Sequence, residues 1–183
     1  MFNGTECYRR FLHGDDRAFD ELMDAYHDGL ILFINKLVGN YAVAEELAAD
    51  SFVELLVHKK RFLGNSDFRT YLYSIGRHKA IDYIRRDAKK KIVNPEEIVE
   101  LSDEKYVEES FIEDETKRAL HNAIAQLGKD YQAAVYLIFF EELSYEDAAR
   151  VLGKSKKQID NLVYRAKGAL KKILTEGGNG NAE

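Results

Sequence analysis

Phe68, Tyr71, Tyr73 and Tyr83 share the short stretch FRTYLYSIGRHKAIDYIRR, residues 68–86, with Arg69, Arg77, His78, Lys79, Arg85 and Arg86. Aromatic faces stack unpaired bases for roughly 1–3 kcal/mol each, and cations hold the phosphates between them. Not every ring is free for that work. A helix this long also buries a stripe, with Leu72, Ile75, Ala80 and Ile84 as its core candidates and one or two tyrosines beside them. A second chemistry-bearing stretch is LSYEDAARVLGKSKKQIDNLVYRAKGALKKIL, residues 143–174. Ser144 with Asp147, and Ser155 with Gln158, have capping-box spacing. Gly153 between them permits a sharp turn. Ala149 is small where two helices must approach, and Ile159 is placed to anchor the second helix. Ile159, Leu162, Val163, Ala166 and Leu170 form one apolar stripe. Lys157, Asp160, Asn161, Tyr164, Lys167 and Lys171 fall largely opposite, with Arg165 at the margin. A helix held from behind, with bases and amides in front, suits entry into a DNA major groove.

Enzymatic or metal chemistry finds no such constellation. His13, His27, His58, His78 and His121 are scattered, and Cys7 is the lone cysteine. No HExxH, phosphate-binding GxxxxGK[ST] or dinucleotide-binding GxGxxG motif occurs. No catalytic residue, metal ligand or cofactor is therefore expected, and the chain is not read as an enzyme.

Charge is segregated to match the two stretches. The net charge is −5 over 183 residues. Residues 68–91 nevertheless carry Arg69, Arg77, Lys79, Arg85, Arg86, Lys89, Lys90 and Lys91 against Asp82 and Asp87. Residues 154–172 carry Lys154, Lys156, Lys157, Arg165, Lys167, Lys171 and Lys172 against Asp160. Two basic islands in an acidic chain indicate local contact with a polyanion.

The elements that must position these islands are helical. Between Ala18 and Leu37, Phe19, Leu22, Met23, Tyr26, Leu30, Phe33, Ile34 and Leu37 recur at helical spacing. Asp15 and Asp16 precede that helix as cap and first-turn anions, and the VGN at 38–40 stops it. A second helix carries Leu47, Phe52, Leu55 and Leu56. The LGNSD loop at 63–67 leads into the basic-aromatic helix, which runs to about Lys91. Residues 93–115 differ in kind. They hold Pro95, the only proline, and ten acids against Lys105. They read as an acidic linker with apolar docking points such as Tyr106 and Phe111, and composition alone fits a flexible acidic tether equally well. Helix resumes near Thr116 and continues to about Leu174. The expected fold is all-α: two small helical domains, 1–92 and 116–175, joined by the acidic linker 93–115 and followed by a frayed tail, 176–183. No apolar run reaches the ~20 residues of a membrane span, and the start MFNGTECYRR lacks a signal-peptide core. A cytoplasmic chain without an internal disulfide or membrane insertion is expected.

The layout resembles the extracytoplasmic-function (ECF) group of the sigma-70 family, the initiation factors of bacterial RNA polymerase. The matching motifs are DDRAFDEL, AEELAADSFVEL and FRTYLYSIGRHKAIDYIRR in the first domain, and LSYEDAARVLG and NLVYRAKGALKK in the second. The resemblance implies a sigma factor that directs core polymerase to promoters. Glu45, Glu46, Asp50, Phe52 and Glu54 would face the clamp helices of the largest polymerase subunit. Asn65, Phe68, Arg69, Tyr71, Arg77, His78, Lys79, Arg85 and Arg86 would hold the melted −10 strand. Ser155, Lys156, Lys157, Asn161, Tyr164, Arg165, Lys167 and Lys171 would meet the −35 duplex. The linker would thread toward the active-site cleft and RNA exit channel. An anti-sigma factor is a further implied partner, and Phe139 and Phe140 are apolar residues it could grip. The family often has tryptophan at Tyr71, glutamine at Ala49 and asparagine at His78, so polymerase contact and −10 preference need not match its typical members. Two other readings stay open on the residues alone. One is an ordinary helix-turn-helix regulator with a sensing or dimerising N-terminal domain. The other is a helical module that binds acidic proteins.

Overall fold

The computed structural model describes residues 2–59, 62, 64, 66–93 and 115–178. The expected linker lies almost wholly outside these residues, as do Asn65 and most of the expected tail. Among the described residues all regular structure is helical.

The first unit has four helices: α1 (Gly4–Leu12), α2 (Arg17–Val38), α3 (Tyr41–Val57) and α4 (Phe68–Val93). The Asn3 side chain caps α1 by accepting from the Glu6 amide at 3.1 Å. Helix α2 buries the predicted stripe, including Phe19, Leu22, Tyr26, Leu30, Phe33, Ile34 and Leu37. It ends at Gly39 in the left-handed region, φ +75°, where glycine alone avoids a Cβ penalty. Asn40 then caps α3, accepting from the Val43 amide at 3.1 Å.

The expected cap of α2 differs in detail. Asp16 occupies the position, but its side chain makes no capping bond. Asp15 is taken by Arg10, which forks onto it at 2.9 and 2.6 Å and onto Glu21 at 3.0 and 3.1 Å. That guanidinium clasps α1 to α2 and holds the Asp15 and Glu21 carboxyls below their ordinary pKa. Gly76 lies where α4 passes close against α2. A Cβ there would lie 2.8 Å from Leu30 Cδ1 and 3.2 Å from Ile34 Cδ1.

The second unit comprises α5 (Glu115–Ala125), α6 (Lys129–Val135), α7 (Tyr145–Leu152) and α8 (Lys156–Gly178). Beyond α6 the chain widens into a π-helical turn, Tyr136–Phe140, closed by the Glu141 amide donating to the Tyr136 carbonyl at 3.1 Å. Both helix caps of the helix-turn-helix form. Ser144 Oγ accepts from the Asp147 amide at 3.0 Å. Ser155 and Gln158 bond reciprocally, each side chain accepting from the other's amide, at 3.2 and 2.7 Å. Gly153 takes φ +60° at the end of α7.

The two units are not merely tethered. One apolar cluster runs from Tyr8, Phe33, Leu72 and Tyr73 to Ala134, Leu137, Ala148, Leu152 and Ile159. Helix α6 packs on α2, and α7 packs on α4. Among the described residues, no helix is long and apolar enough to cross a membrane.

Candidate nucleic-acid interface

Helix α8 presents the face that its sequence predicted. Ile159, Val163 and Ala166 are buried, and Leu162 and Leu170 are half-buried. Ser155, Lys156, Lys157, Asn161, Tyr164, Arg165, Lys167 and Lys171 are all exposed. Tyr164 is 79% exposed, extreme for a tyrosine. Neighbours already engage some of these groups. Lys156 is ion-paired with Glu146 on α7, which lowers the carboxyl pKa and raises that of the amine. Lys167 sits over the Phe139 ring, 5.1 Å from its centroid. Ser155 is occupied as the N-cap of α8. Lys157, Asn161, Tyr164 and Arg165 thus form the outward centre of the helix.

Helix α4 divides its aromatic and basic residues between two faces. Arg69, Tyr73 and Arg77 stand at i, i+4 and i+8 and so share a stripe. Tyr71, His78 and Arg85 stand at i, i+7 and i+14 and share another. The second stripe is the open one: His78 and Arg85 are exposed, as is the neighbouring Arg86. Tyr71 is half-buried, with its ring 5.1 Å from that of Phe62. Lys79 reaches across to Glu54 on α3, 3.1 Å away, so a residue expected on DNA pairs with one expected on polymerase.

The first stripe lies under the second unit. Tyr73 is fully buried, with its ring 5.3 Å from Phe33. Burial, then the nearby Glu141 carboxylate, pushes its hydroxyl pKa well up. Arg69 donates to the backbone carbonyl of Glu141 and lies over the Tyr26 ring at 5.6 Å. The Arg77 guanidinium lies against Gly153, where an added Cβ would come within 3.2 Å of it.

Three expectations need correction. Phe68 is not on a DNA face. It is fully buried, stacked 4.9 Å from Tyr8, and its amide donates to Thr5 Oγ1 at 3.1 Å. The missed signal was α1, whose Tyr8 stacks on it, with the Tyr26 and Phe62 rings 5.7 and 5.9 Å away. Phe52 is not on the polymerase face. It is 2% exposed and packs edge-on to Phe19 at 6.1 Å, because its side of α3 turns toward α2. The large apolar residues that α3 does expose are Val53, Leu56 and Val57, at 53%, 40% and 68%. Ile84, expected in the core, is 36% exposed, since α4 extends past the bundle there. Glu45, Glu46 and Asp50 are exposed and Glu54 half-buried. Phe139 and Phe140 are 48% and 44% exposed, the latter stacked on Tyr136. Asn65 lies outside the described residues. Among those residues, no cluster of His, Cys, Asp and Glu could hold a metal ion.

Comparison with known proteins agrees with this architecture. The family model "Sigma-70 region 2" matches residues 22–90, and "Sigma-70, region 4" matches 117–170. The chain is 30% identical to the RNA polymerase sigma-H factor of Pseudomonas aeruginosa, over 92% of each chain. It is 29% identical to the RNA polymerase sigma factor YlaC of Bacillus subtilis, over 87% of this chain and 93% of that one. The fold is similar to that of the sigma factor RpoE solved with the anti-sigma factor NepR from Bartonella quintana. That match has a TM-score of 0.66 and 22% identity, covering 86% of this chain and 96% of that one. The matched regions take in nearly all of the basic-aromatic helix and of the helix-turn-helix, and the chain belongs to the sigma-70 family as an ECF sigma factor that directs promoter-specific transcription.

Proposed function

We propose that residues 1–92 form the unit that binds core polymerase and captures the −10 strand, and 116–175 the unit that reads the −35 duplex. The carrying observation is the sidedness of α8: Ile159, Val163 and Ala166 are buried while Lys157, Asn161, Tyr164 and Arg165 face solvent. Asn161 and Arg165 read base edges. Lys157, Lys167 and Lys171 hold phosphates, which set register and salt dependence. On α4, Tyr71 and His78 meet unpaired bases, while Arg85 and Arg86 meet the backbone. Arg69, Arg77 and Lys79 join them once their present partners let go. The polymerase face of α3 combines Glu45, Glu46 and Asp50 with the exposed Val53, Leu56 and Val57, an apolar centre with an acidic rim. RNA synthesis itself resides in the polymerase, and the factor works in the cytoplasm. A similar structure is a sigma factor held by an anti-sigma factor, and such a partner fits the exposed Phe139 and Phe140 here.

In vitro transcription with core polymerase and genomic templates tests the assignment. Start sites should depend on the added chain, and Asn161→Ala with Arg165→Ala should alter which promoters are used. Unchanged selectivity in both variants would reject base reading by this face of α8.

A further inference from the structure

In a helix-turn-helix the leading end of the second helix meets base edges, while the first helix crosses the backbone. Ser155, Lys156, Lys157 and Gln158 are the polar side chains at that end of α8. Most of them are already engaged within the protein. Ser155 and Gln158 close the reciprocal cap. Lys156 is ion-paired with Glu146. Lys157, one residue on, is left to solvent.

Glu146 reaches Lys156 from another helix, for it stands in the first turn of α7. The neighbouring Asp147 is committed elsewhere: its carboxylate accepts from the Ser144 hydroxyl at 2.6 Å and from the Arg150 guanidinium at 3.1 Å. Asp160, one turn along α8, adds attraction for the same amine. The first turn of α8 has no acid of its own, so Glu146 supplies from outside the negative charge that the positive end of a helix favours.

Both partners of the pair are more than half exposed. An exposed pair adds little to folding stability. It matters more where a polyanion docks, because Glu146 and a DNA phosphate then compete for one ammonium. Held by Glu146, that ammonium neutralises no phosphate, and a phosphate that is not neutralised releases no counterion.

We propose that Glu146 is a positioning residue that withholds Lys156 from the phosphates and so limits the affinity of the second unit for duplex DNA. This rests on reading α8 as the −35 helix. Phosphate contacts carry no sequence information, so one more would raise specific and non-specific binding together. A genome offers on the order of 10⁶ or more non-specific sites. Keeping the contact out leaves a larger share of the factor free for polymerase, and leaves selection to Asn161 and Arg165.

The test is binding of the full chain to a labelled −35 duplex, taken from a start site mapped with this factor, followed by fluorescence anisotropy from about 50 to 200 mM salt. Glu146→Gln keeps the size of the side chain and removes its charge. It should steepen the slope of log affinity against log salt by about 0.9, the signature of one added phosphate contact. At about 0.15 M salt that amounts to a gain of roughly fivefold, shared by −35 and unrelated duplexes. Lys156→Gln should leave the slope unchanged in the parent and lower it by about 0.9 in the Glu146→Gln background. A Glu146 that served only the fold would alter the thermal melt without producing this coupling. Equal losses from Lys156→Gln in both backgrounds would overturn the proposal, because the ammonium would then reach phosphate despite Glu146. Asn161→Ala with Arg165→Ala is run on the same duplex. If binding is absent, or indifferent to that pair, the −35 reading of α8 falls and the proposal with it. If that pair weakens binding while the Glu146→Gln slope matches the parent, the proposal alone falls.

Discussion

Ile159 and Asn161 are two residues apart on α8, hence about 200° apart around the helix. They should therefore fail in opposite ways when cut to alanine. Ile159 is wholly buried against α7. Its truncation removes methyl and methylene groups from a packed core, which costs about 2–5 kcal/mol. At roughly 2–4 °C per kcal/mol for a chain of this size, even 3 kcal/mol lowers Tm by about 6–12 °C. Asn161 is exposed, and a surface change of this kind stays within about 0.5 kcal/mol. Its cost falls instead on binding. Losing a base-edge contact is worth about 1–3 kcal/mol, a 5- to 150-fold weakening. Urea unfolding followed by circular dichroism measures the first quantity. Fluorescence anisotropy with a −35 duplex at fixed salt measures the second. Ile159→Ala should destabilise strongly and weaken all sequences alike wherever it remains folded. Asn161→Ala should leave unfolding unchanged and relax preference at one base pair. If Asn161→Ala costs more than about 1 kcal/mol of stability while Ile159→Ala costs less, the helix is rotated by half a turn and the DNA face has been misassigned.

Other expectations follow from single features. Gly168 lies within α8 with open space where a Cβ would go, so Gly168→Ala should gain about 1 kcal/mol in helix propensity. Gly76→Ala should lower Tm instead, because its Cβ would meet Leu30 and Ile34 and overpacking costs about 1–3 kcal/mol; equal shifts in thermal melts would refute the α2–α4 approach. Arg10 depresses the Asp15 and Glu21 pKa values, so the clasp is fully formed above the ordinary carboxylate range and is lost as pH falls through the depressed values. Amide exchange in α1 should accordingly rise below about pH 4, and Arg10→Ala should abolish that pH dependence. Burial, aided by its contact with Glu21, pushes the Cys7 thiol up to about 11, so at pH 8 a thiol reagent should label the native chain only as fast as α1 opens, a rate read directly from labelling kinetics.

Much of the protein was determined by sequence alone because its decisive features are local. A helix terminus needs only a few residues, so Gly39, Gly153 and the Ser155–Gln158 box could be placed before any packing was known. Period-3.6 stripes likewise fix which side of α2 and α8 is buried, and hence which side of α8 is left to solvent. The sequence failed where burial depends on partners remote in the chain. Phe68 and Arg69 are adjacent in a basic-aromatic stretch, and nothing local says that Tyr8, sixty residues earlier, stacks on the phenylalanine. The resemblance placed Phe52 on the polymerase face with the acids of α3, yet its ring turns inward onto Phe19. Tertiary structure alone divided α4 into an open stripe, Tyr71–His78–Arg85, and a covered one, Arg69–Tyr73–Arg77. From the other unit the covering groups are the Glu141 backbone carbonyl, its carboxylate and the Gly153 turn, and backbone groups exist at every residue. No sequence pattern marks which of them a distant arginine, lysine or tyrosine will find.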